Sequence, residues 1–335
     1  MTKDKQKLMV ILGPTAVGKS LAAVRVAEAL GGEIVSADSR QIYRGMDIAT
    51  AKPGPEILAR VPHHLIDIVK PDEIFSAGQY REMARPIILR LHHQGKIPVI
   101  VGGTGLYIRA LLRGLWPGPK AHWDLRRQLV EEGRTLGPGY LHQRLAEVDP
   151  EAALRIHPRD QVKTIRALEV ALLTGVPLTR HHEEHRKGVT IRLRRMASSP
   201  KVESAGPDQD EPMVIGLRRE REDLYQRING RVDQMVRSGL LEEVEHLLKL
   251  GYHADLSSMR GLGYRQMVGY LRGFYSLQEG IRLMKRDTRR YAKRQMTWFK
   301  KEPHVQWVDL KPEDQAQEVA EKILSRIHAT VASDR

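Results

Sequence analysis

Residues 13–20 read Gly-Pro-Thr-Ala-Val-Gly-Lys-Ser, and no other stretch of the chain narrows its possible folds so far. The apolar run Leu8–Leu12 precedes it and predicts a buried strand; Leu21–Leu30 follows it and predicts a helix closed by Gly31 and Gly32. Strand, glycine loop and helix in that order form a phosphate cradle. Its glycines let successive backbone N–H groups turn toward one anion, and the N-terminal end of the helix adds its field. Gly13, Pro14, Thr15, Ala16, Val17 and Gly18 make the cradle, Lys19 brings a mobile charge, and the Ser20 hydroxyl can hold a magnesium ion beside the phosphates. The loop does not say whose phosphates it holds.

Charge narrows the partner. Lys plus Arg number 55 against 41 Asp plus Glu, a formal net charge of +14, which points to a polyanion. With no cysteine, disulfides and thiolate metal sites are excluded. No apolar run approaches the about 18 residues of a membrane span, and the first residues carry no signal core. A cytoplasmic, monomeric enzyme without membrane contact is expected.

Beyond the first helix, Glu33–Asp38 predicts a strand ending in an acid. In an open parallel sheet, ligands sit beyond the carboxyl ends of the strands, so Asp38 shares an edge with the phosphate loop. It can serve there as a general base, a magnesium partner or a cap on the next turn. A polar loop, Ser39–Asp47, leads to Thr50-Ala51-Lys52-Pro53. His64–Ile68 and Ile97–Val101 predict further strands, Ser76–His93 a helix, and Gly102-Gly103-Thr104-Gly105 opens a helix through Leu112. The fold class is α/β: a P-loop NTPase-like core with a parallel sheet flanked by helices. Residues 116–187 change character. Trp123–Glu132, Tyr140–Val148, Glu151–Ile156 and Arg159–Thr174 predict helices with little strand signal, a helical insertion followed by a surface loop at 188–209. The core is then 1–115 and 210–335, with a strand at Met213–Leu217 and a closing helix at Ala316–Val331. Asp67 is a weak substitute for the strand-end acid of an ATPase, and a single asparagine, Asn229, excludes the N-K-x-D guanine reader.

A second informative stretch is Ile281–Lys301. Arg282, Lys285, Arg286, Arg289, Arg290, Lys293 and Arg294 recur at three- and four-residue steps, a basic stripe on one side of a helix that only Asp287 interrupts. So few internal partners favour contact with a phosphate backbone over a solvated face. Upstream, Arg260–Gln266 adds cations, glycine turns and Tyr264, an aromatic suited to a base held outside its stack.

Taken together these segments resemble one family, the tRNA dimethylallyltransferases or tRNA isopentenyltransferases. The matching segments are Gly13–Ser20, Ser36–Ile48, Thr50–Pro53, Pro62–Asp67, Gly102–Tyr107, Arg166–Val170, Gly263–Gln266 and Ala292–Trp298, spread over nearly the whole chain. The phosphate loop is shared with many kinases; the Asp38–Asp47 segment and the Gly102-Gly103-Thr104 turn are far more specific. The resemblance implies transfer of a dimethylallyl group from dimethylallyl diphosphate to the exocyclic N6 of an adenosine beside the anticodon of a tRNA. It implies that the loop holds the donor's diphosphate, with magnesium on Ser20, and that Asp38 is the catalytic base. Lys19 would stabilise the leaving group, Thr15 would touch the donor, and Thr104 would lie close to the modified nucleotide. Arg221 and Arg231 are candidates for further diphosphate contacts. The same resemblance assigns the tRNA surface, which grips the anticodon stem-loop. It comprises Asp38, Ser39, Arg40 and Gln41; Val162, Lys163, Thr164, Ile165 and Arg166; Arg260, Gly261, Leu262, Gly263, Tyr264 and Arg265; and Lys293, Arg294, Gln295, Trp298 and Lys300, with Arg126 in the insertion. Eukaryotic relatives carry a zinc finger; a chain without cysteine resembles the bacterial form.

Two other readings stay open to the residues. A small-molecule P-loop kinase accounts for the loop, the sheet and Asp38 but not for the basic helix. An RNA-binding protein that kept a nucleotide fold accounts for the charge but assigns no chemistry to the loop.

Overall fold

The structure, a computed structural model, describes residues 6–116, 118–184 and 210–333; the expected surface loop at 188–209 lies outside them. Six strands form one parallel sheet: β1 (Gln6–Leu12), β2 (Glu33–Ser36), β3 (His63–His64), β4 (Pro98–Gly102), β5 (Asp210–Arg219) and β6 (Val305–Leu310). Their order is β3-β2-β4-β1-β5-β6. Leu12 pairs with Gly102 on one side and Gly216 on the other, so β1 ends level with β4, β5 runs on to Arg219, and the phosphate loop leaves from mid-sheet. Leu8 to Leu12 are all buried, which a strand needs when helices cover both faces of its sheet.

Helix α1 (Lys19–Leu30) packs Ala22, Ala23, Val26 and Ala27 against the sheet and ends on Gly31 in the left-handed conformation, whose N–H caps Ala27 and Glu28. Then come α2 (Pro55–Arg60), α3 (Ala77–His93) and α4 (Gly105–Arg113). Ser76 and Gln79 close a reciprocal capping box on α3.

The chain forms two compact units, residues 1–114 with 206–335, and residues 115–205. The second is helical: α5 (Trp123–Thr135), α6 (Tyr140–Val148), α7 (Pro150–Arg155) and α8 (Gln161–Thr174) close on Leu129, Leu141, Leu145, Ile165 and Leu168. In the first unit, β5 is followed by α9 (Arg221–Arg237), α10 (Leu240–Lys249), α11 (Tyr264–Leu271), α12 (Leu277–Phe299) and, after β6, α13 (Ala316–Ser333). No described helix is long and apolar enough to cross a membrane.

The expected third strand, His64–Ile68, contracts to His63–His64. Leu65 and Asp67 take left-handed backbone angles, φ 63° and 55°, which end the pleat. β6, α2, α9, α10 and α11 are additions. α9 was legible in Leu224, Ile228, Val232 and Met235, all buried at helical spacing.

Candidate active site

The carboxyl edge of the sheet holds a cavity of about 420 Å³ lying wholly within the first unit. The strand order divides its lining. Over β3, β2 and β4 the wall sets the apolar Ile34, Ala51, Pro53, Ile66 and Val101 among the polar Ser36, Gln41, Thr50 and His63 and carries no cation. Around the phosphate loop and toward β5 it is cationic: Lys19, Arg219, Arg227 and Arg231. Asp38 and Ser20 border the same space.

The phosphate loop is held from three sides. Gly13 has no room for a side chain, since a Cβ there would lie 2.8 Å from the Leu217 carbonyl oxygen. The buried Gln295 of α12 accepts from the Thr15 N–H at 2.9 Å and donates to the Gly103 carbonyl at 2.9 Å, joining two loops at neighbouring strand ends. Arg219 donates to the carbonyls of Val17 and Asp314 at 3.0 Å each and pairs with Asp223. Within this frame the Lys19 ammonium donates to the carbonyls of Gly13 and Pro14 at 2.9 and 2.7 Å. Burial brings its pKa down to about 7, with Asp38 opposing and Arg231 assisting. Arg231 donates to the Thr15 hydroxyl at 3.2 Å; its own pKa is lowered by burial and held up by Asp38.

Asp38 is aimed by its backbone. One carboxylate oxygen accepts from the Arg40 N–H at 2.8 Å; the other takes no hydrogen bond from the described residues. Thr104 accepts from the Ser39 N–H at 2.9 Å and thereby fixes the turn that carries Asp38. At Gly102 a Cβ would fall 2.1 Å from the Ala37 carbonyl oxygen, so the β4 and β2 ends can approach only with glycine there.

Of the residues singled out from sequence, Thr15, Ala16, Gly18, Lys19, Ser20, Asp38, Gln41, Arg231 and Gln295 line this one cavity. Thr104 stands behind the turn. Arg221 does not line the cavity: its guanidinium lies 5.2 Å from the Tyr225 ring, and Arg227, one helical turn and a half along α9, lines the wall in its place. Sequence reasoning missed Arg219, Arg227 and His63; the register of β5 and the sharp turn after β3 are what bring them in.

Several residues assigned to a nucleic-acid surface are engaged inside the protein. Tyr264 is 1% exposed and donates to Glu243 at 2.7 Å, so it cannot present its ring to a base. Gln295 faces the phosphate loop, as above. In the helical unit, Thr164 and Ile165 are buried, while Arg126 and Arg166 both pair with the fully buried Glu169, at 2.7 and 2.6 Å. Lys163 pairs with Asp160, and Val162 is 81% exposed. Leu262 is half-buried and Gly261 and Gly263 are buried; Arg260 is exposed, 3.7 Å from Asp255, and Arg265 pairs with Asp287 at 2.7 Å. Arg40 donates to the Ser257 carbonyl at 2.9 Å. The basic stripe also has more internal partners than its sequence suggests. Arg282 pairs with Glu279, Lys285 with Asp233 and Arg286 with Asp287, and Arg289 donates to Asn229. Lys293 and Arg294 are exposed, Arg294 lying 5.8 Å from the Tyr291 ring, and Lys300 is exposed. Trp298 packs on Gly105 under the Arg109 guanidinium.

The sequence profile of the IPP transferase family matches residues 41–302. A protein of Geobacter sulfurreducens named tRNA dimethylallyltransferase is 51% identical over 309 residues, 91% of this chain and 93% of its own. A solved structure of a full-length tRNA isopentenylpyrophosphate transferase from Bacillus halodurans is 40% identical and superposes with a TM-score of 0.67 over 98% of this chain and 96% of its own. A eukaryotic dimethylallyltransferase solved acting on tRNA, at 24% identity and TM-score 0.73 over 98% of this chain and 80% of its own, shares the fold.

Proposed function

Since this chain belongs to the IPP transferase family, we propose that it is a tRNA dimethylallyltransferase. It transfers a dimethylallyl group from dimethylallyl diphosphate to the exocyclic N6 of an adenosine beside the anticodon. The observation that carries the reading is the single cavity in which an acid aimed by its own turn, Asp38, meets the phosphate loop with Lys19 and Ser20.

The residues divide the reaction between them. The loop N–H groups, Lys19 and Arg231 receive the donor's diphosphate at the cationic side. The apolar wall of Ile34, Ala51, Pro53, Ile66 and Val101 receives its five-carbon tail. The N6 lone pair forms the new bond to C1 of the donor while the C1–O bond breaks and its electron pair leaves with the diphosphate. The exocyclic amine is a weak nucleophile because that lone pair is delocalised into the ring. Asp38 takes the N6 proton as the bond forms, which removes positive charge from the nitrogen. The target base reaches this point only by leaving its stack, at a cost of a few kcal/mol that a single-stranded anticodon loop reduces.

Among the described residues no three His, Cys, Asp or Glu side chains cluster as a metal cage, and the Ser20 hydroxyl is exposed to the cavity. That donor set fits magnesium carried mainly on diphosphate oxygens, with Ser20 as its protein ligand. When bound, magnesium supplies charge neutralisation to the departing diphosphate.

The test is direct: the protein is incubated with dimethylallyl diphosphate, magnesium and unmodified tRNA, and the digested nucleosides are weighed. A dimethylallyl-adenosine product is expected. Asp38→Asn should leave tRNA affinity within a factor of about two and lower turnover by about 10²–10⁴. A product without the prenyl mass, or an unchanged rate in the variant, would overturn the assignment.

A further inference from the structure

Lys52 is not part of the reacting centre, yet its ammonium joins the two segments that bring Ala51, Pro53 and Ile66 to the apolar wall. Its side chain is 5% exposed, donates to the Tyr43 carbonyl at 2.8 Å, and pairs with both Asp47 and Asp67. Asp47 and Lys52 belong to the strap 41–53, which supplies Gln41, Thr50, Ala51 and Pro53 to the cavity. Asp67 belongs to the turn after β3; the strand supplies His63 to the cavity and the turn supplies Ile66.

Both segments carry backbone strain beside the cavity. Ala51 has φ 49°, Leu65 63° and Asp67 55°, left-handed angles that a side chain disfavours. Such angles persist only where the surroundings over-determine them. Part of that restraint is backbone pairing: the Asp67 and Ile68 N–H groups donate to the Gln41 and Ile42 carbonyls. These bonds lie at the start of the strap. At its far end Gln41 donates to the Thr50 and Ala51 carbonyls, the Thr50 hydroxyl to the Met46 and Asp47 carbonyls, the Ala51 and Lys52 N–H groups to the Ile48 and Asp47 carbonyls, and the Asp47 and Ile48 N–H groups to Glu243. Two strap side chains reach across to the opposing segment: Arg44, near the start, donates to the Asp67 carbonyl at 2.8 Å, and Lys52 pairs with the Asp67 carboxylate from the far end. The two carboxylates that the Lys52 ammonium joins are 58% and 44% exposed, so the cation lies inside and its counter-charges outside, like a rivet through the wall.

We propose that Lys52 is a positioning residue for the prenyl end of the donor: it pins the strap 41–53 to the turn at Asp67 and so fixes the apolar wall that the five-carbon tail meets. This rests on the reading of the cavity as the dimethylallyl diphosphate site. Two consequences separate the pin from general structural support. Loss of Lys52 should weaken binding of the prenylated donor more than binding of bare diphosphate, whose contacts lie on the other side of Asp38. It should also raise KM for the donor without a matching fall in kcat, because Asp38 is held independently by Arg40 and the turn at Thr104.

The experiment is isothermal titration of wild type, Lys52→Met and Lys52→Arg with dimethylallyl diphosphate and with inorganic diphosphate, alongside steady-state kinetics with tRNA. Lys52→Met should bind the prenylated donor about three- to tenfold more weakly, bind inorganic diphosphate within about twofold of wild type, and show the same rise in donor KM. Lys52→Arg, which can still reach both acids, should recover most of the loss. Should Lys52→Met not fold, Asp47→Asn/Asp67→Asn, which changes only half-exposed groups, is expected to show the same split to a smaller degree. Equal weakening toward both ligands, or no weakening toward either, overturns the pin. Wild-type protein that binds inorganic diphosphate as tightly as the prenylated donor overturns the donor-site reading instead.

Discussion

The Lys19 ammonium is drawn in two directions: it bonds two loop carbonyls and faces Asp38, yet burial brings its pKa down to about 7. The consequence for folding has a definite sign. Between about 7 and the ordinary lysine value the native state holds fewer protons than the unfolded one, so this group's contribution to stability rises with pH across that window. The consequence for binding runs the other way. Diphosphate needs the charged ammonium, so its affinity for the free protein should fall as pH rises through about 7. Titration of inorganic diphosphate between pH 6 and 9 measures this, with Lys19→Gln as the control for the ligand's own ionisation. The variant should bind at least tenfold more weakly at pH 6 and show a flatter profile. A wild-type profile no steeper than the variant's would take Lys19 out of the diphosphate site.

Helix α12 is the element on which core and surface roles meet. Its inward face puts Gln295 between Thr15 and Gly103, so the helix sets the spacing of the two loops. Gln295→Ala leaves the Thr15 N–H and Gly103 carbonyl without that partner, at about 1–3 kcal/mol. Calorimetry should show a lowered Tm and titration a weakened affinity for diphosphate; normal diphosphate binding would mean the loop holds its shape without this clamp. The outward face divides along its length. Arg282, Lys285 and Arg286 already have acid partners, whereas Lys293 and Arg294 have none among the described residues. Each free cation that neutralises a phosphate steepens the salt dependence of binding by slightly under one logarithmic unit. Lys293→Gln/Arg294→Gln should therefore lower the slope of log Kd for tRNA against log salt by about 1–2, and Arg282→Gln/Lys285→Gln should change it less. The reverse order would move the RNA contact to the other end of the helix.

At the scale of the whole molecule, the helical unit depends on one buried acid. Glu169 accepts from the His122 N–H at 2.7 Å and pairs with Arg126 and Arg166, tying α5, α8 and the segment before α5 together. Burial raises its pKa, but the two arginines and the backbone donor outweigh that and hold it below the usual glutamate range. A carboxylate depressed in this way lends stability above the unfolded value of about 4.3, and that stability is lost as pH falls through the lower native value. Circular dichroism should show the helical unit melting earlier below pH 4. Glu169→Gln should cost about 1–3 kcal/mol at pH 7 and remove that acid sensitivity; an unaltered acid profile would place the sensitivity elsewhere.

Read alone, the sequence determined what depends on neighbours along the chain. The strand–loop–helix around Gly13–Ser20, the acid two residues beyond β2, the helix from Ser76 and the periodicity of the insertion helices are local matters of backbone freedom, hydrogen-bond capping and hydrophobic spacing. The shortened β3 escaped that reading because left-handed angles at Leu65 and Asp67 are imposed by pairing with the strap at Gln41 and Ile42, not by the residues' own preferences. Tyr264 as a base platform and the basic stripe as a row of free charges failed for a related reason: a polar or charged side chain finds its partner through space, and Glu243, Asp233 and Glu279 claimed these ones. Only the tertiary structure decided which cations remain free, that Arg219 and Arg227 join the cavity, and that Lys52 joins two strained segments. Each is fixed by side chains far apart in sequence meeting where desolvation makes an unpartnered charge costly.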